Sequence, residues 1–164
     1  MAFPYLLYAI VSDIAVFLPF APPSLGWVRY PLGLGLVFLG VWIMLCAEVD
    51  LSRYGGGGGP FPFYNQPRRL VREGIYSCTR NPMYLGTTVE YCGVGLLMDE
   101  LFMLPAALLV LSLALTLYSV YEKPRLVKLF GEEARTYISH TPLLIPRFRC
   151  VRSYVENRCK ESVR

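Results

Sequence analysis

Residues 84–121 read YLGTTVEYCGVGLLMDELFMLPAALLVLSLALTLYSVY, two apolar runs parted by Asp99 and Glu100. The second run, 101–121, carries no charge and matches the roughly 20 residues that cross a hydrocarbon core. The first is shorter and carries Glu90, so its reading as a span rests on its neighbour: the turn at 98–100 leaves room only for a tight helical hairpin.

Working outward, FPYLLYAIVSDIAVFLPFA and YPLGLGLVFLGVWIMLCA supply two further candidate spans. Hydrophobic residues make up 54% of the 164, and the mean hydropathy of +0.41 exceeds the usual range for a soluble globule. The expected fold class is all-α, a polytopic membrane helix bundle of about four transmembrane helices at roughly 4–20, 30–50, 82–98 and 101–121. Pro19, Pro22 and Pro23 end the first helix. Asp13 inside that segment, and the lack of basic residues ahead of it, favour a helix over a signal peptide. Gly33, Gly35 and Gly40 let a neighbouring backbone or a ligand approach the second helix. After the fourth span, Leu126, Leu129, Phe130 and Tyr137 form the stripe of an amphipathic helix lying on the membrane surface. Residues 1–148 are read as one domain and the basic residues 149–164 as a loose tail.

Of the 16 lysines and arginines, Arg53, Arg68, Arg69, Arg72 and Arg80 fall between spans two and three, and ten follow span four. The 98–100 turn is acidic and the 21–28 turn uncharged, so the distribution places both termini and the long loop of a multi-pass protein in the cytoplasm. That face would meet anionic headgroups of the bilayer. Nucleic acid is not expected as a partner, because the basic residues have no soluble domain to sit on. The five cysteines, Cys46, Cys78, Cys92, Cys150 and Cys159, are odd in number and lack a CxxC pair. The expectation is reduced structural thiols, with neither a disulfide nor a metal site.

The loop reads SRYGGGGGPFPFYNQPRRLVREGIY. Its five successive glycines suggest a hinge, whereas RRLVREGIY interleaves apolar residues with arginines and suggests a docked element. It leads into YSCTRNPMYLG at 76–86. Hairpin topology brings that helix start to the depth of Glu122, which closes the last apolar run, so Arg80, Asn81, Tyr84 and Glu122 converge. A carboxylate suits an amino group, and arginines suit a carboxylate or phosphate. Pro82 presets the helix start and frees backbone groups nearby, and Leu70, Val71, Tyr76 and Tyr84 can enclose a flat ring. The natural guest is a polar ligand with an amino acid end and an aromatic end.

Together, LVREGIYSCTRNPMYLG and YEKPRLVKLFGEEARTYISHTPLLIP resemble the integral-membrane methyltransferases that include isoprenylcysteine carboxyl methyltransferase and phosphatidylethanolamine N-methyltransferase. The shared pattern is LV-x-x-G-x-Y, an R-[HN]-P-x-Y-x-G helix start, a Glu pair ending the next helix and an F-G-x-x-Y-x-x-Y run. NPMYLGTTVEYCG and the Tyr-Glu-x-Pro at 121–124 lean toward the phospholipid branch. The resemblance implies S-adenosylmethionine as cofactor, bound by the loop and the last two helices. Its site residues would be Arg68, Arg69, Leu70, Val71, Tyr76, Asn81, Pro82, Met83, Tyr84 and Glu122, with Gly33 and Gly35 as the Gly-x-Gly of an earlier helix. It also implies a lipid or lipidated acceptor. An amine acceptor must lose a proton, and Glu90, Glu48 or a tyrosine can assist; Glu90 and Arg80 are the candidate catalytic residues.

Three positions depart from the pattern. Lys123 replaces the second Glu, Ala134 replaces the first Tyr after Phe-Gly, and Tyr118 stands where the prenylcysteine enzymes place an arginine. Carboxyl methylation of a prenylcysteine is the alternative within the resemblance; a nicotinamide-dependent membrane reductase and a non-enzymatic membrane scaffold stand outside it. The chain has no G-x-G-x-x-G fingerprint, which argues against a Rossmann cofactor fold. The glycines of the second helix leave the oligomeric state open.

Overall fold

The computed structural model describes residues 3–15, 25–56 and 69–162. The described residues form helices α1 (Phe3–Ala15), α2 (Arg29–Tyr54), α3 (Pro82–Leu97), α4 (Met103–Leu117), α5 (Lys123–His140) and α6 (Phe148–Ser162). Short 3-10 turns at Gly26–Val28 and Gly74–Ser77 and a π-helical turn at Tyr118–Glu122 accompany them, with no strand among the described residues. Among the described residues, two stretches are long and apolar enough to cross a membrane, Gly26–Tyr54 and Met103–His140. The two remaining expected spans correspond to α1, described over 13 residues, and α3 over 16, which rises about 24 Å. Arg68 and most of the glycine run fall outside the described residues.

Local chemistry explains the helix ends. Pro82 opens α3, where its missing N–H costs nothing. At the other end of α3, the amide of Glu100 donates to the Gly95 carbonyl at 2.8 Å and that of Asp99 to Leu96 at 3.2 Å, with Asp99 at φ 59. This is a Schellman stop carrying an aspartate in the left-handed position that glycine usually takes. Pro124 has no amide to offer the Val120 carbonyl, and there the backbone widens into the π turn. Gly131, at φ 55, bends α5.

The chain divides into two compact units, one of Met1–Trp42 with Gly86–Thr116 and one of Ile43–Leu85 with Leu117–Arg164. In the first, α2 and α3 meet through glycine. A Cβ on Gly33 would lie 2.9 Å from the Gly93 carbonyl oxygen, and one on Gly40 2.6 Å from that of Gly86. Each pair of glycines is spaced two turns apart on its helix, so two antiparallel backbones touch along one face. Arg29 Nη1 meets Asp99 Oδ2 at 2.5 Å, tying the start of α2 to the α3–α4 turn. Large apolar side chains, among them Phe38, Leu108, Leu109 and Leu113, point outward, a surface that marks a membrane or partner contact.

The second unit is organised around Cys46, Ala47 and Ile75, with Ile43, Tyr76, Met83 and Tyr154 packed against them. Beside this core Asp50, only 1% exposed, accepts hydrogen bonds from the Ile75 amide at 2.7 Å and from Arg158 Nη2 at 2.5 Å. Gly74 makes this possible: it has φ +61, and any side chain there would run into the Asp50 carboxylate.

Two expectations are corrected in this unit. The residues after 148 are not a loose tail but a helix through Ser162, fastened by Arg158 to a carboxylate 108 positions earlier. Cys78 and Cys150 are not reduced thiols but a disulfide. Their separation of 72 residues leaves no local spacing to read. Cys46 and Cys92 are free.

Candidate functional site

The second unit encloses a cavity of about 380 Å³, within the range of small-molecule sites. One wall is the segment leading to Gly74–Ser77, and three contacts hold it in place. The Ile75 amide is bound by Asp50, Arg72 Nη1 lies 3.3 Å from Glu133 Oε1, and the Tyr137 hydroxyl donates to the Tyr76 carbonyl oxygen at 2.8 Å. With the backbone so fixed, Arg69, Leu70, Val71 and Tyr76 line the cavity. Burial pushes the pKa of the Tyr76 phenol upward, and Tyr137, Glu48, Glu122 and Asp50 push the same way, so the phenol stays neutral.

The start of α3 forms the second wall. Thr79 Oγ1 donates to the Leu144 carbonyl at 2.8 Å, the Arg80 amide to Pro142 at 3.0 Å, and Asn81 Nδ2 to Leu143 at 2.9 Å. These bonds pin the chain ahead of α3 against 142–144, and Arg80, Asn81, Pro82, Met83 and Tyr84 line the cavity. One N–H of the Asn81 side-chain amide is thereby committed to the protein itself.

The π turn and the first half of α5 close the site with Tyr118, Tyr121, Glu122 and Arg125, then Leu126 and Phe130. The Arg80 guanidinium carbon lies 5.8 Å from the centre of the Tyr118 ring, within cation–π range. Arg80 Nε and the Tyr118 hydroxyl are both buried, and neither makes a well-formed hydrogen bond among the described residues, although the two side chains neighbour each other. A buried unmet donor costs about 1–3 kcal/mol, which a polar guest in the cavity would recover.

Ten of the residues singled out in the sequence therefore share this cavity: Arg69, Leu70, Val71, Tyr76, Arg80, Asn81, Pro82, Met83, Tyr84 and Glu122. Gly33, Gly35 and Glu90 do not line it and belong to the first unit. There Gly33 is closed against α3, Gly35 faces open space, and the Glu90 backbone sits where Gly40 crosses. Leu51 and Arg125 line the cavity without having been singled out, and Tyr121, read as part of a branch motif, lines it too; Arg125, one turn beyond Glu122, was the one with a readable signal. Leu126, Phe130 and Tyr137, expected on a membrane-surface stripe, turn to the cavity instead, whereas Leu129 stays exposed. No cluster of metal-ligating side chains occurs among the described residues.

The sequence model of the phospholipid methyltransferase family matches residues 28–133, well over half of the chain. The chain belongs to that family. The match takes in the cavity residues from Leu51 to Phe130 and stops short of Tyr137. The phosphatidylethanolamine N-methyltransferase of Schizosaccharomyces pombe is 29% identical over 109 residues, 66% of this chain and 12% of the relative. That of Arthroderma otae is 27% identical over 144 residues, 85% of this chain and 15% of the relative. That of Aspergillus terreus is 30% identical over 108 residues, 66% and 11% respectively. The chain thus spans only 11–15% of the length of these curated relatives. No solved structure matches it.

Proposed function

We propose that this chain is a membrane-embedded, S-adenosylmethionine-dependent methyltransferase acting on the amine headgroup of a phospholipid. The observation that carries the reading is the convergence of the motif residues on one cavity with unmet buried donors at Arg80 and Tyr118. Family membership and relatives named phosphatidylethanolamine N-methyltransferase support the reaction class and the acceptor. The outward apolar surface and the two long apolar stretches support embedding in a bilayer. The distribution of basic residues supports four spans with both termini and the long loop in the cytoplasm.

The lining fits the cofactor. Glu122 suits its amino group, and Arg69, Arg80 and Arg125 suit its carboxylate. Leu70, Val71, Tyr76 and Tyr84 offer apolar and aromatic surface for a purine ring, and tyrosine faces attract a cation such as a sulfonium. When bound, S-adenosylmethionine supplies a methyl group on sulfur that is already activated toward displacement. The protein is left to orient the acceptor nitrogen and exclude water, which lowers a barrier by several kcal/mol. The ammonium headgroup must also lose a proton, a task for which Glu90, which does not line the cavity, is the candidate; a shifted acid limb in the pH–rate profile of Glu90→Gln would single out Glu90.

The reading is tested by giving methyl-labelled S-adenosylmethionine to membranes that contain the protein. Label in the lipid extract, identified by chromatography as N-methylated headgroup and lost in Glu122→Ala, is the expected result. Alkali-labile label confined to protein would move the assignment to carboxyl methylation, and no label in either fraction would end the methyltransferase reading.

A further inference from the structure

α6 is fastened to the cavity-forming segment at two places. Near its start Cys150 is bonded to Cys78, and near its end Arg158 reaches Asp50, whose other oxygen holds the Ile75 amide. Cys78 lies midway between Tyr76 and Arg80, both of which line the cavity. The two sulfurs differ in access. Cys78 is fully buried, but Cys150 is half-buried and lines a second cavity of about 280 Å³ together with Ser77, Ser153 and Arg158. The Ser77 hydroxyl donates to the Gly74 carbonyl at 2.7 Å and stands 3.6 Å from the Cys150 sulfur and 3.8 Å from that of Cys78, so a rotation of its O–H would turn that donor to a thiolate formed at either. Arg53 and Arg158 line the same cavity against the single carboxylate of Asp50, which leaves its lining net positive, and positive surroundings favour thiolate chemistry.

We propose that the Cys78–Cys150 pair is a redox-modification site whose disulfide and dithiol forms bind the cofactor with different affinity, an inference that rests on the first cavity being the cofactor site. A small dithiol reductant enters the second cavity and its thiolate attacks the Cys150 sulfur. The Cys78–Cys150 bond breaks, and Cys78 departs as a thiolate that takes up a proton. The reductant's second thiol then displaces Cys150 as a thiol, so two electrons and two protons pass to the protein and the reductant leaves as its own disulfide. On a cytoplasmic face, where thiol buffers reduce accessible disulfides, such a pair cycles between the two forms. Once reduced, the Tyr76–Asn81 stretch loses its covalent anchor and is held by packing and hydrogen bonds alone, and ligand binding must also order it more tightly.

Two measurements on the full chain in membranes test this. In the first, a maleimide mass tag is applied under denaturing conditions before and after dithiothreitol. Wild type should gain two tags on reduction and Cys150→Ser none; no gain in wild type overturns the pair. In the second, binding of labelled S-adenosylmethionine is measured on oxidised and reduced wild type. The reduced form should bind at least about fivefold more weakly, the lower end of ordinary coupling between linked sites, and Cys78→Ser/Cys150→Ser should match the reduced value whatever the treatment. Equal affinity in both forms of the wild type overturns the regulatory claim without requiring that the variant fold. Binding in neither form sinks the cofactor reading and the regulatory claim with it, while the tag count still decides the cysteine pair.

Discussion

In the first unit α2 and α3 touch backbone to backbone through Gly33, Gly40, Gly86 and Gly93, and the large side chains face outward. In the second, elements distant in sequence are joined through polar side chains, with Asp50, Tyr137, Asn81 and Arg158 each reaching a partner more than 20 residues away, and the space among them is the cavity. Glycine serves the two units differently. On α2 it removes side chains so that helices close up, whereas Gly74 makes room for one buried carboxylate. One unit is built as an apolar scaffold, the other as a site whose shape depends on a few satisfied polar groups.

That contrast can be broken at its strongest point first. Asp50→Ala leaves Arg158 and the Ile75 amide without their shared partner, and breaking a buried pair costs about 3–5 kcal/mol. A large fall in the thermal unfolding midpoint of the detergent-solubilised protein is expected, and an unchanged midpoint would remove Asp50 from the centre of the second unit. Next is Glu122→Ala. Loss of a charge-assisted hydrogen bond, about 1.5–3 kcal/mol, should weaken binding of S-adenosylmethionine at least about tenfold while the unfolding midpoint stays put. Equal losses in both measurements would make Glu122 structural.

Two glycines sharpen the comparison further. A Cβ at position 40 meets the Glu90 amide and the Gly86 carbonyl, each at 2.6 Å, and these are backbone atoms that cannot swing aside. Gly40→Ala should cost about 1–3 kcal/mol of stability, with no loss of cofactor affinity in the protein that remains folded. Gly35→Ala meets nothing within 4 Å and should be neutral or stabilising by up to about 1 kcal/mol. Weaker cofactor binding in Gly35→Ala would show that the Gly-x-Gly on α2 serves the site after all.

What could be read from the sequence was local. The hairpin turn at 98–100 was legible because two apolar runs left three residues for it, and the Schellman stop at Asp99 occupies that place. The cavity motifs were legible because Leu70, Val71, Tyr76 and the residues from Arg80 to Tyr84 lie within 15 positions of one another. The stripe on α5 identified Leu126, Phe130 and Tyr137 as one face, but periodicity tells which residues share a face and not what covers it. The disulfide and the docking of α6 were illegible for a related reason. Cys78 and Cys150, like Asp50 and Arg158, meet only after the chain has folded, and nothing in their own neighbourhoods marks them as partners.

The central claim, that the cavity of the second unit holds the methyl donor, is tested most directly by photocrosslinking labelled S-adenosylmethionine to the protein in membranes and mapping the labelled peptides. The expected label falls in peptides spanning 69–84 and 118–130, and excess unlabelled S-adenosylmethionine abolishes it. Competable label around Gly33 and Gly35 in place of those peptides would contradict the assignment.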